Sequence, residues 1–290
     1  MLQENQNKEE KYVIVNDQNK YVNKKLGRYE VNWVDDSIKI NSSSKIDINE
    51  IDMKMESRRR KMKVECNQVQ SQMTDTDINS KEFVINDRFK LVWCNIFKSA
   101  SSTWIYNFLL MKNISKDKIN QPFITPINLL RKIYPRPTST SVQLALEKHS
   151  FQSMIIVREP FERLLSAYFD KIQSTEQAYF ETIRCRILGD FSKRKYTRPC
   201  SATFPEFVDF VIYDYTRSDL NEHWAPYYSF CSVCQVNFHY ILHFENLTIE
   251  ERYLTLKVSS HIKHRIMLLN RIIHILPCFS FFFRIRLEII

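Results

Sequence analysis

Twice in this chain a short apolar run gives way to a polar loop and then to a helical pattern, and that repeat constrains the fold more than any other feature. The first is Leu91–Leu110, LVWCNIFKSASSTWIYNFLL, and the second is Ile155–Lys171, IIVREPFERLLSAYFDK. Ser153–Val157 is almost unbroken apolar sequence, the pattern of a strand buried on both faces of a parallel sheet. Pro160 follows at a position favoured for the first residue of a helix, and Phe161, Leu164, Leu165, Tyr168 and Ile172 recur at helical spacing. Phe89–Ile96 reads as a strand and Ser101–Met111 as the helix after it. Further helices are expected at Thr125–Ile133, stopped by Pro135 and Pro137, at Ser141–Lys148 and at Phe204–Ile212, with a third strand at Tyr240–Phe244. Strands alternating with helices specify an α/β fold with a parallel sheet.

Composition divides the chain in three. Residues 1–82 are dominated by Asn, Lys, Asp, Glu, Gln and Ser without sustained apolar periodicity, and read as a disordered or weakly ordered stem. The globular domain is expected over 83–257, followed by a tail of unusual composition over 258–290. The net charge of +9 argues little for a nucleic-acid partner. Seven Lys/Arg against one acid lie between Arg252 and Ile290, so the rest of the chain carries only +3. The other basic cluster, Arg58, Arg59, Arg60, Lys61 and Lys63, reads first as a solvated helix face and only second as a polyanion contact or localisation signal. Seven cysteines, at 66, 94, 185, 200, 231, 234 and 278, suit an oxidising compartment with two or three disulfides and at least one thiol left over. Sequons at Asn41, Asn113 and Asn246 add weak support for lumenal exposure. The N-terminus shows no apolar leader, and Ile272–Phe283, the most apolar part of the tail, is shorter than a membrane span. Together these suggest an incomplete chain.

The two strand–loop–helix units share an anion chemistry. Unpaired amides at a helix start carry positive potential and suit a phosphate. In the first unit Lys98 adds a full charge, and Ser101, Ser102 and Thr103 add hydroxyls that can cap the helix. Small residues from Ser99 to Thr103 permit close backbone approach without glycine, provided no residue needs a positive φ. The chain has two glycines, Gly27 and Gly189, and neither lies here, which disfavours a nucleoside-triphosphate P-loop. In the second unit Arg158 leaves the end of a buried strand, where ligands bind in open α/β sheets, and Ser166 lies about two turns along the helix. An arginine and a hydroxyl can grip a phosphate. The competing structural role pairs Arg158 with Glu162 and leaves Ser166 on the helix surface. His223 stands beside Trp224 with Glu222 as a possible orienting partner; it is either a base or a packed structural histidine. Cys231 and Cys234 lack a second ligand pair at zinc spacing, so no metal is expected and a disulfide role is favoured.

Lys98 in the first unit, VREPFERLLSAY in the second, and the block LNEHWAPYYSFCSVCQVNFHYILHFENL at Leu220–Leu247 together resemble the Golgi carbohydrate sulfotransferases of the chondroitin, dermatan and HNK-1 group. The basic stretch Arg58–Cys66 is a weaker match, and the likeness extends to about Thr255. The resemblance implies a P-loop-like fold that binds 3′-phosphoadenosine-5′-phosphosulfate (PAPS) and transfers its sulfuryl group to a glycan hydroxyl. Under it, Lys98 with Ser99, Ala100, Ser101, Ser102 and Thr103 holds the 5′-phosphosulfate, Arg158 and Ser166 hold the 3′-phosphate, and Lys98 and His223 are catalytic. It also implies a glycosaminoglycan or glycoprotein acceptor and a lumenal domain in the Golgi, tethered by an anchor this chain does not carry.

Two departures stand out. Phe97 occupies a place where the family has proline, with the small residues kept. From Val258 the sequence resembles no family segment, and Lys257-Val258-Ser259 is what a splice donor would encode if read through. The tail is therefore expected to be translated intron, with the domain incomplete at its C-terminus. The alternative to an active transferase is a relative that binds nucleotide or glycan without catalysis.

Overall fold

The computed structural model describes residues 20–25, 28–33, 47–69, 77–192, 199–216 and 221–261. The chain divides into two units, Met1–Lys45 and Ile46–Ile290. The first carries an antiparallel hairpin, β1 (Lys20–Lys25) and β2 (Arg28–Trp33).

The second unit is built on a sheet of order β3-β4-β5-β6, comprising Phe83–Asn86, Leu91–Cys94, Gln152–Val157 and Tyr240–His243. β3 runs antiparallel to β4, and β4, β5 and β6 are parallel. This is the expected α/β architecture, with an antiparallel edge strand added. The apolar runs are continuous because both faces of the sheet are covered. Leu91, Trp93, Met154, Ile156, Tyr240 and Leu242 enter one core, while Val92, Cys94, Ile155 and Ile241 enter the other. The alternation is the period of a strand. Helices α2 (Ser101–Met111) and α4 (Pro126–Ile133) supply Trp104, Phe108, Leu129 and Leu130 to the first core, and α5 (Ser139–Glu147) supplies Val142 and Ala145 to the second. Thr125 and Thr138 cap α4 and α5 through their side chains. Between α2 and α4 lies the single turn α3 (Lys116–Ile119).

After β5 come α6 (Pro160–Ala167), a π turn at Tyr168–Gln173, α7 (Ala178–Phe191), α8 (Phe204–Thr216) and the short α9 (Tyr228–Cys231). Tyr168, Phe180, Phe207, Phe210 and Trp224 form a third cluster beneath them. The last described element is α10 (Leu247–His261).

The stem expected over 1–82 does not hold for its second half. Ile48–Val69 forms α1, which buries Ile51 and Met55 in the first core. The basic cluster is divided here: Arg60, Lys61 and Lys63 lie exposed, as a solvated helix face would have them, while Arg58 and Arg59 turn to the sheet. Arg58 forms a two-pronged pair with Glu250 at 2.8 Å for each contact and donates to the Ile241 carbonyl at 2.7 Å. Arg59 donates to the His239 carbonyl at 2.6 Å. β6 is the edge of the sheet, and an uncovered edge exposes unpaired carbonyls; two arginines of α1 answer them. Periodicity missed α1 because most of its surface is charged.

Three disulfides join Cys66 to Cys234, Cys94 to Cys231 and Cys185 to Cys200. Cys231 and Cys234 thus take different partners, and Cys278 lies outside the described residues. α10 runs unbroken across the boundary expected at 257, with Val258 buried in the first core. The remainder of the tail from 262 lies outside the described residues. Among the described residues, no helix is long and apolar enough to cross a membrane.

Candidate active site

The parallel strands β4, β5 and β6 end on one edge of the sheet, so the segments that leave them converge. The first segment turns sharply after Ile96, whose carbonyl accepts from the Ser99 amide at 3.2 Å. Lys98 and Ala100 both adopt left-handed backbone, at φ 69° and 60°. The proviso that no residue of this loop needs a positive φ is therefore not met. Each such residue costs about 1–2 kcal/mol relative to right-handed backbone, and the surrounding structure must hold them there. Ala100 is also the residue that caps α2 and has no side-chain acceptor to offer the first-turn amides. Ser101, expected to cap, is instead the first helical residue and is buried, while Ser102 is exposed and Thr103 partly so.

Arg158, at the end of β5, is buried. Its guanidinium donates to the Lys98 carbonyl and to Glu162, both at 3.3 Å, and stacks over the Phe244 ring at 4.5 Å. The pair with Glu162 expected of a structural role is present. It is joined by a direct contact to the first loop, which the sequence does not reveal. Tyr227 clamps the strand end, its hydroxyl donating to the Arg158 carbonyl at 2.6 Å and accepting from the Arg158 amide at 3.1 Å. Ser166 is buried rather than on the surface. The hydroxyls of Ser166 and Ser99 are both buried and have no hydrogen-bond partner among the described residues. A buried hydroxyl without a partner costs about 1–3 kcal/mol, and two of them, one in each strand–loop–helix unit, suit an acceptor-rich ligand such as a phosphate.

The third segment is brought in by Arg163 and by a disulfide. Arg163 is buried and donates to Phe97 at 2.9 Å, to Ala225 at 2.8 Å and to Glu222 at 3.2 Å, all backbone carbonyls. One guanidinium thus sews the Lys98 loop to the His223 segment. Burial pushes its pKa down, to about 10, which leaves it charged at neutral pH. Cys94 at the end of β4, bonded to Cys231, ties the same two segments covalently.

His223 packs against the rings of Phe97 and Phe180. Its orienting partner is Asn221, not Glu222. Asn221 Oδ1 accepts from the His223 amide at 3.0 Å and lies 2.7 Å from Nδ1, whereas Glu222 is 3.9 Å away and half exposed. The amide donor identifies the Asn221 atom as the oxygen, so Nδ1 carries the proton and Nε2 keeps its lone pair. Burial, followed by the charges of Lys171 and Lys98, lowers the His223 pKa to about 3. The ring is neutral at physiological pH.

Lys98 is directed by Asp170, on the π turn, whose Oδ2 lies 2.9 Å from Nζ. The same oxygen lies 3.3 Å from Lys171 Nζ. Burial lowers the Lys98 pKa, and the Asp170 charge works against that shift. Burial would raise Asp170, but the two lysines outweigh it and hold the carboxyl below its ordinary value. Lys98, Arg158, Asp170, Lys171 and His223 thus form one electrostatic unit with an excess of positive charge.

The family model for the sulfotransferase family matches residues 81–266. The chain belongs to the sulfotransferase family. Within it, carbohydrate sulfotransferase 11 of Rattus norvegicus is 27% identical over 191 residues, covering 62% of this chain and 53% of that protein. Carbohydrate sulfotransferase 14 of Homo sapiens is 29% identical over 177 residues, covering 58% and 44%. Carbohydrate sulfotransferase 8 of Mus musculus is 22% identical over 197 residues, covering 66% and 47%. The chain spans about half the length of the curated relatives it matches. No solved structure matches it.

In this member of the sulfotransferase family, the sequence alone misses Asp170, Lys171, Asn221, Tyr227 and Arg163. One signal was available: Asp170 lies four residues after Ser166 and so on the same helix face. Nothing local marks Tyr227 or Arg163, because their partners lie on other segments, whereas Asn221 bonds to His223 only two residues along.

Proposed function

We propose that the chain is the catalytic domain of a PAPS-dependent carbohydrate O-sulfotransferase acting on a chondroitin- or dermatan-like glycan, or a related sugar. The observation that carries this is the convergence of two anion-binding units, Arg158 touching the Lys98 loop at 3.3 Å with a buried, unpartnered serine hydroxyl in each. In this reading Lys98, with the backbone of Ser99–Thr103, holds the 5′-phosphosulfate, and Arg158 with Ser166 holds the 3′-phosphate. PAPS supplies an activated sulfuryl group, whose bond to the 5′-phosphate oxygen breaks as a bond to the acceptor oxygen forms. Lys98 stabilises the electron pair left on the phosphate oxygen. Nε2 of His223 accepts the acceptor hydroxyl proton. Two nearby lysine charges depress His223, so an anion that offsets them raises its basicity where the proton must be taken. Three disulfides suit a lumenal, oxidising compartment, in keeping with a Golgi location.

The test is transfer of radiolabelled sulfate from PAPS to chondroitin and dermatan by the wild type and by His223→Ala. Transfer by the wild type, lost in His223→Ala while nucleotide binding is kept, is the expected result. Full turnover by His223→Ala would remove the histidine from the mechanism, and no transfer by a folded wild type would refute the catalytic reading.

A further inference from the structure

We infer that Asp170 is an anion placeholder: a positioning residue that holds Lys98 before the nucleotide binds and competes with the nucleotide's 5′-phosphate group for it. The inference rests on the placement of the nucleotide proposed above. Lys98 Nζ lies on a side chain only 12% exposed, whereas the Asp170 side chain is 46% exposed. A buried ammonium needs a counter-charge to stay protonated, and Asp170 supplies it at 2.9 Å. The pairing is not exclusive. The same carboxylate oxygen reaches Lys171 at 3.3 Å, and Lys171 in turn lies over the Phe180 ring at 5.3 Å. Asp170 therefore has a second cation on which to rest when an anion takes the first.

The π turn makes this arrangement available. Consecutive residues of an α-helix project about 100° apart, so Asp170 and Lys171 would ordinarily diverge. At Tyr168–Gln173 the helix widens, and the two neighbours close on each other and on Lys98. Such turns are uncommon and concentrate at functional sites. Asp170 does not contact the reacting atoms in this account. Its effect runs through Lys98: it keeps the ammonium charged and aimed before binding, and it reclaims that ammonium when the product nucleotide leaves.

This has a signature that damage to the fold cannot imitate. Removing the charge of Asp170 should tighten binding of 3′-phosphoadenosine 5′-phosphate, by roughly two- to fivefold for one half-exposed competing charge, and should slow its release. The gain should shrink as salt is raised. The measurement is titration calorimetry of the full chain with that nucleotide, together with stopped-flow release, for wild type, Asp170→Asn, Asp170→Ser and Asp170→Glu. Tighter binding in both neutral variants, with affinity near wild type in Asp170→Glu, is expected. Unchanged or weaker binding in whichever neutral variants melt cooperatively overturns the inference. If the wild type itself fails to bind, the nucleotide placement falls instead.

Discussion

The seam between α1 and α10 and the loop edge of the sheet differ in where strained backbone and unpartnered hydroxyls are found among the described residues. At the seam two ion pairs join the helices. Arg58 meets Glu250 through two 2.8 Å contacts, Glu250 also accepts from the His243 amide at 2.8 Å, and Lys257 meets Asp52 at 2.7 Å. At the loop edge Arg158 makes 3.3 Å contacts, two residues sit in left-handed backbone, and two buried hydroxyls have no partner. Both regions use an arginine at the sheet: partly buried Arg58 reaches its β6 edge from α1, and buried Arg158 leaves the end of β5. The difference teaches where the molecule accepts local strain: beside a place for an anion, and not where the fold is only being closed.

The comparison breaks most visibly at Arg58. Arg58→Ala strands Glu250 as a buried, uncompensated carboxylate and should cost about 3–5 kcal/mol of stability, read as a lowered denaturation midpoint. Where the variant still folds, nucleotide affinity should stay near wild type. A loss of affinity without a loss of stability would put the seam inside the site.

A second test lies between the regions, where α2, the helix of the Lys98 loop, meets α10. Trp104 Nε1 donates to the buried Glu251 carboxyl at 2.7 Å. Burial pushes the Glu251 pKa from 4.5 up to about 7. The folded state therefore binds a proton that the unfolded state releases. That contribution is fully present below pH 4.5 and is lost as pH rises towards 7. Relative to Glu251→Gln, the wild type should lose roughly 3 kcal/mol of stability across that window. Parallel stability–pH curves for the two would contradict it.

The smallest effect belongs to Ser166. Removing its unpartnered hydroxyl should leave stability unchanged or raise it by up to about 1 kcal/mol, while nucleotide affinity falls roughly tenfold through one lost charge-assisted hydrogen bond. A stability loss with affinity kept would make Ser166 structural.

What could be read in the sequence follows from which interactions are local. The buried strands announce themselves as apolar runs, and Ser101–Met111 forms a helix with the expected ends. α1 was hidden because Ile51 and Met55 are buried in a helix otherwise rich in Lys, Arg and Glu. The candidate site divides the same way. Lys98, Arg158, Ser166 and His223 stand in motifs that can be quoted from the chain. Arg163 and Asp170 matter through bonds to residues on other segments, and Asn221 through a bond to His223 two residues along, which spacing alone does not disclose. The left-handed backbone at Lys98 and Ala100 was also hidden, since both are residue types that rarely adopt it.

The most direct test of the central claim is binding of 3′-phosphoadenosine 5′-phosphate to the purified chain, with Lys98→Ala and Arg158→Ala measured beside it. The account predicts binding by the wild type and a large loss in both variants, each still folded, because one nucleotide bridges the two units. Wild-type affinity in either folded variant, or no binding by the folded wild type, would contradict it.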